Sequence, residues 1–529
     1  MLLDLCQYRA IWANRGLPLL SGGNDQFLHE TSGLGETIGR DQLPTIEATR
    51  GDDQHGESGP AIRGKCTAAR PADRAGSEVN IGMQPASGER QIRAADGLDL
   101  ADGRGIEKVS DAASSLALLN LRGLVILIVL AFHSVLPYLR YARSSAAPFD
   151  QPPYEWRAFP IVDSQRWFGF DLFCAWQDVY LMSLMFFLSA VFAWPSLTRK
   201  GGRKFLGDRL LRLGAPFLFG VTVVAPIALY PAYRLIAVDP SPIAYGRSLL
   251  ALPFWPNGPM WFLWLLLALT IAPAALYRFA PQWVAFLGRL SSDAAVRPGR
   301  YLIGLTTVAA LAYVPLAIAF TPWEWSNHGP FSLQLSRPLL YAVYYLAGFG
   351  VGAHGLERGL LAPEGMLARR WNVWLPCAFV SLLLWMGLTG LTLTYATGAP
   401  LMLQIAAGAS FALAGASSFF FVTAACLRFG AIRSRLLDGL SRNAFGLYLL
   451  HYAPLVWLQY ALLDAPLSAI AKAVIVFGGT LLFAFAATVA IRFSRFGSRF
   501  IGEAPRARAS RPQGQSPGPT SSIGDAQAI

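Results

Sequence analysis

The spacing of apolar and polar positions divides the chain into three parts. From residue 1 to 111, Gly, Ser, Asp, Glu and Arg predominate, and neither a strand-like nor a helix-like period is sustained. Such a segment cannot bury enough apolar surface to offset its ordering entropy. The expectation is a disordered tail, with an over-extended gene start as the alternative. Residues 501–529, rich in Pro, Gly, Ser and Gln, read as a second disordered tail. Between them, residues 112–500 carry ten apolar stretches of about 20 residues, the length needed to cross the hydrocarbon core of a bilayer. Five are expected at Leu116–Tyr138, Val179–Trp194, Leu213–Tyr230, Pro259–Phe279 and Tyr301–Phe320. The other five are expected at Leu339–Ala353, Trp371–Thr394, Leu401–Leu427, Ala444–Leu463 and Leu467–Ile491. The fold class that follows is an all-α integral membrane protein, a polytopic bundle of about ten transmembrane helices.

Charge placement orients the bundle. Basic residues gather between spans two and three (Arg199, Lys200, Arg203, Lys204, Arg209, Arg212), and again between four and five, six and seven, and eight and nine. Three more arginines follow span ten, whereas the intervening connections hold few, apart from the loop after span one, whose four arginines are accompanied by five acidic residues. By the positive-inside rule this alternation predicts cytoplasmic termini on both sides. Composition agrees: 54% of residues are hydrophobic and 14% charged, and the mean hydropathy is +0.40. The net charge of +12 is therefore spent on topology. No basic-aromatic stripe or zinc spacing supports nucleic-acid binding. The five cysteines are scattered without a C-x-x-C pair, so neither a disulfide framework nor a metal site is predicted. Trp156, Trp167, Trp255, Trp323 and Trp325 fall in the non-cytoplasmic loops or at span ends. Anchoring at headgroup depth explains them individually, and together they are also candidates to line a sugar-binding mouth.

The sharpest chemical feature lies in the first span, Asn120-Leu-Arg122-Gly-Leu-Val-Ile-Leu-Ile-Val-Leu-Ala-Phe-His133. Eleven positions at about 100° each bring Arg122 and His133 to nearly the same helix face, separated by a rise of about 16 Å. Ionisable residues inside a span are costly and mark functional sites. The bland readings are snorkelling for Arg122 and an interhelical hydrogen bond for His133. Of the six histidines, His133 and His451 alone fall within expected spans.

The R-x₁₀-H pair resembles the signature of the family-three membrane acyltransferases. Phe186-Phe-Leu-Ser-Ala190, Arg209-Leu-Leu-Arg212-Leu-Gly-Ala-Pro216, Gly258-Pro-Met-Trp261-Phe-Leu-Trp264 and Gly446-Leu-Tyr448-Leu-Leu-His451 resemble its later motifs, in order. Leu119 and Ala190 depart from the acidic residue and glycine the family often has there. The subgroup most resembled contains the succinyltransferase of osmoregulated periplasmic glucans. The resemblance implies an enzyme of a bacterial inner membrane that moves an acetyl or succinyl group from cytoplasmic acyl-CoA, a co-substrate with no permanently bound cofactor, to a hydroxyl of a periplasmic or lipid-linked glycan. It also implies His133 and Arg122 as catalytic residues, with Arg209, Arg212, Trp261, Tyr448 and His451 supporting or donor-binding.

Such chemistry needs a base for the hydroxyl proton and stabilisation of the developing oxyanion. An imidazole suits the first need, and a guanidinium can fork onto phosphate or carbonyl oxygens of the donor. The alternative is a transporter or flippase of a polar or glycan substrate, for which no internal repeat between the two halves speaks.

Overall fold

The computed structural model describes residues 116–143, 147–326, 328–356, 358–396, 398–494 and 497. The two tails expected at 1–111 and 501–529 lie outside the described residues. In chain order the helices are α1 (Leu116–Tyr138), α2 (Phe168–Lys200), α3 (Gly202–Ile236), α4 (Pro242–Ala251) and α5 (Gly258–Phe279). Next come α6 (Pro281–Val296), α7 (Pro298–Phe320), α8 (Pro338–His354) and α9 (Trp371–Thr392). The chain continues through α10 (Leu401–Phe429), α11 (Arg435–Leu450), α12 (Tyr452–Ala461) and α13 (Ala469–Phe493). Among the described residues no strand forms, and one isolated antiparallel bridge joins Trp325 to Gln334.

All ten expected stretches are helical, and eight of the helices are long and apolar enough to cross a membrane: α1, α2, α3, α5, α7, α9, α10 and α13. The expected sixth span is α8, at 17 residues just short of that length. The expected ninth is divided at His451 into α11 and α12. Pro454 explains the division, because it lacks the N–H that would bond the carbonyl four residues earlier. The protein is thus an all-helical, multi-pass membrane protein. Exposed Leu311 on α7 and Leu482 and Phe483 on α13 belong to the apolar surface that a bilayer covers.

Two span edges differ from expectation. α2 starts at Phe168 rather than Val179, which puts Asp171 and Asp178 on the helix instead of in the preceding loop. α3 starts at Gly202 rather than Leu213, so Arg209 and Arg212 also sit on a helix. Partnered charges do not end a helix: the backbone N–H of Arg140 donates to both carboxylate oxygens of Asp171 at 3.2 Å.

Close packing centres on α2. A Cβ at Gly348 or Gly352 of α8 would lie 2.3 Å from the Phe187 carbonyl oxygen or 2.1 Å from that of Val191. Glycine spaced by four lets these two backbones touch. Elsewhere the helical ladders are interrupted, and indoles take up the loose carbonyls. α3 contains wide π-type turns at Leu210–Gly214 and Gly220–Val224. The Trp255 indole N–H donates to the Val221 carbonyl at 2.8 Å. Pro231 deprives Ile227 of its helical donor, and the Trp457 indole N–H supplies one at 2.9 Å.

Candidate active site

A cavity of about 830 Å³ opens among the loops that precede α2, α5 and α8 and runs inward to His133. The backbone carbonyl of Val129 lies 2.9 Å from His133 Nδ1. A carbonyl only accepts, so Nδ1 must carry the proton and Nε2 is left as a lone-pair base. The backbone is held too, since the Gln459 amide donates to the His133 carbonyl at 2.9 Å. Val129 and Gln459 thus fix both the ring's tautomer and its place on α1.

His451 stands directly behind, with ring centroids 5.2 Å apart. It is fully buried, and its Nδ1 lies 2.6 Å from the Tyr448 carbonyl. The same reasoning leaves its Nε2 unprotonated, and that atom has no hydrogen-bond partner in the protein. Tyr448 lines the cavity and donates its hydroxyl to the Pro259 carbonyl, joining α11 to the start of α5. Trp261 also lines the cavity, stacked on Tyr341 at 5.7 Å and met edge-on by Trp325 at 6.1 Å.

The loops build the mouth. Trp156 stacks on Phe149 at 4.1 Å and is nearly enclosed, so it is a packing residue of the outer cap rather than a headgroup anchor. The Arg157 guanidinium lies 3.8 Å above the Phe254 ring. Burial lowers its pKa to about 10, and it stays charged at neutral pH. Of the five tryptophans expected near the mouth, Trp156, Trp323 and Trp325 line the cavity, whereas Trp167 and Trp255 do not.

Arg122, Arg209 and Arg212 are not part of this cavity. They gather toward the other end of α1. The charge of Arg209 acts on Arg122, and that of Arg212 acts on Arg209. Arg209 also lies 5.2 Å from the Phe205 ring centroid and interacts with Tyr345, whose buried hydroxyl has no hydrogen-bond partner. The repulsion among these guanidinium groups is offset in part by the Asp208 carboxylate, which interacts with both Arg209 and Arg212. Asn120 pins this end of α1 by donating to the carbonyls of Gly430 and Ile432, each at 2.8 Å.

Two ion pairs escaped the sequence reading. Arg337, at the entry to α8, forks onto Asp178 with Nη–O distances of 2.7 and 2.6 Å. Lys472 of α13 pairs with Asp163 at 2.7 Å, with both side chains about 1% exposed. The signal was present as ionisable residues at span ends, but α2 was expected to start one residue after Asp178. Asp163 and Arg337 were indistinguishable from loop charges.

The fold and the site define a multi-pass helical membrane protein with an imidazole at the floor of an aromatic cavity and a basic cluster beyond it. The Acyltransferase 3 family profile, an acyltransferase domain, matches residues 116–489, more than two thirds of the chain. The chain belongs to that family and is an acyl-transferring enzyme. Neither the curated proteins nor the solved structures provide a match.

Proposed function

We propose that this acyltransferase moves an acetyl- or succinyl-class group from acyl-CoA to a glycan hydroxyl. The donor comes from the cytoplasmic face of a bacterial inner membrane, and the acceptor enters the cavity from the periplasmic face. The observation that carries the reading is the fixed tautomer of His133, which leaves Nε2 as a base at the cavity floor. The acceptor oxygen attacks the thioester carbonyl carbon while Nε2 takes the hydroxyl proton. The C–S bond breaks as the new C–O bond forms, and the protonated imidazole returns its proton to the departing thiolate. A positioning role for His451 is supported by its ring lying 5.2 Å from that of His133. Arg122, Arg209 and Arg212 form the site for the donor's phosphates, because a polyanion balances the basic charge that the single Asp208 carboxylate leaves over. Trp261 and Tyr448 shape the acceptor side.

The test is turnover by the full chain in proteoliposomes, supplied with radiolabelled acyl-CoA on the Arg122 side and a glucan oligosaccharide on the other. His133→Gln keeps similar bulk while removing the base, and transfer per folded molecule should fall about 10²–10⁴-fold. Near-wild-type transfer by well-folded His133→Gln would sink the mechanism.

A further inference from the structure

Asp178 and Arg337 meet in the cavity wall, and nothing in the reaction above uses them. Their arrangement is lopsided. Arg337 is about 3% exposed, its two Nη atoms are engaged by the two oxygens of Asp178, and its guanidinium lies 5.1 Å from the Phe411 ring centroid. The Asp178 side chain, by contrast, is 30% exposed and lines the cavity. Each carboxylate oxygen has further lone-pair capacity beyond the arginine fork. The Asp163–Lys472 pair in the same chain shows what a purely internal pair looks like here, with both ends enclosed. In the cavity wall, by contrast, the acid of the pair remains open on one side.

The surroundings point to what meets it. Trp261, flat on Tyr341 and edged by Trp325, forms an aromatic corner in the same cavity. Such a corner suits the C–H face of a sugar ring, whose hydroxyls then need acceptors at the rim. Apart from the neutral His133 imidazole, the ionisable acids and bases lining the cavity are Glu155, Asp178 and Glu324 against Arg157 and Arg337. Three acids against two bases give no excess of positive charge to balance an anionic ligand.

Resting on the acyl-transfer reading, we infer that Asp178, held in place by Arg337, binds hydroxyls of the acceptor, and that this wall selects a neutral sugar over a uronic acid or a phosphorylated one. Arg337 aims the carboxylate; Asp178 receives the hydroxyl hydrogen bonds. A hydrogen bond to an ionised group is the stronger kind, so its loss is measurable as affinity.

The experiment uses the full chain in lipid nanodiscs. Quenching of tryptophan fluorescence is titrated with a neutral gluco-oligosaccharide and with its uronic-acid counterpart, without donor. The acceptor and donor KM values are then measured with acyl-CoA. Wild type should bind the neutral sugar at least about 10-fold more tightly. Asp178→Asn should weaken that binding, and raise the acceptor KM, by about 10–100-fold while leaving the donor KM unchanged. The double variant Asp178→Asn/Arg337→Gln leaves no unpaired guanidinium and should show the same acceptor loss. Equal or tighter binding of the uronic acid by wild type overturns the inference whatever the variants do. So does wild-type neutral-sugar binding by either folded variant. Failure of wild type to transfer any acyl group, with the neutral-sugar preference and its Asp178 dependence intact, counts against the acyl-transfer reading and leaves the binding site standing.

Discussion

Replacing Lys472 with Met tests whether the wall of the cavity is held from behind by a buried charge pair. The ammonium lies 2.7 Å from an Asp163 oxygen and donates also to the Leu463 carbonyl at 2.9 Å. Methionine keeps most of the chain length but strands the carboxylate, whose remaining partner is the Gln165 backbone N–H at 2.8 Å. With both side chains about 1% exposed, water screens the pair little, and breaking it should cost about 3–5 kcal/mol. The Asp163 backbone N–H also donates to the Pro137 carbonyl at 3.0 Å, so the loop is tied to the end of α1 that follows His133. Pro160 and Ile161 of that loop line the cavity, and the cavity wall should therefore loosen first. The assay is thermal unfolding in detergent, followed by tryptophan fluorescence, for wild type, Lys472→Met, Asp163→Leu and the double variant. Each single change should lower the midpoint, and the double change should recover most of the loss because no buried charge then stands alone. A Lys472→Met protein that melts like wild type would refute the argument. A double variant no better than either single would do the same.

Other outcomes follow from packing and topology. Gly352→Ala puts a methyl 2.1 Å from the Val191 carbonyl, so it should push α8 off α2 and destabilise by about 1–3 kcal/mol. Gly304→Ala on α7, with open space around it, is the control and should be neutral or slightly stabilising in the same melt. Single cysteines at Gly202 and Ser434, in a background lacking the native ones, should resist an impermeant thiol reagent in intact cells, while one at Tyr395 should react. Labelling at Gly202 from outside would reverse the assigned donor and acceptor faces.

The helices were legible because a bilayer imposes a length, and apolar runs of that length are hard to disguise. Arg122 and His133 were legible for the complementary reason, since a charge or imidazole inside such a run stands out. What stayed hidden depended on three-dimensional pairing. Asp178 and Arg337 are separated by 159 positions, and each lies at a span end where solvated charges are ordinary. The basis of His133's tautomer was also hidden, because its partner is a backbone carbonyl and carries no residue signature. The wide turns of α3 were missed because apolar periodicity does not distinguish a π turn from an α turn over five residues.

The distance between the two halves of the site constrains how transfer proceeds. Arg122 and His133 share one helix, with a rise of about 16 Å between them, and the cavity reaches only the His133 end. If the arginines hold the donor phosphates, as proposed, the thioester must be carried inward along α1 by the donor's own arm. Among the described residues the helical backbone departs from its regular course in the wide turns of α3, at Phe192 in α2, at Thr270 in α5 and at the α11–α12 division. The loose carbonyls of α3 at Val221 and Ile227 are taken by the indoles of Trp255 and Trp457, which holds that helix in place. Under the proposed mechanism the acyl group meets the acceptor at His133 without an enzyme-bound intermediate. Under the proposed direct transfer, initial rates with both substrates varied should accordingly give intersecting rather than parallel double-reciprocal lines. Parallel lines, the mark of an acyl relay, would require a nucleophile along α1 that the proposed mechanism does not contain.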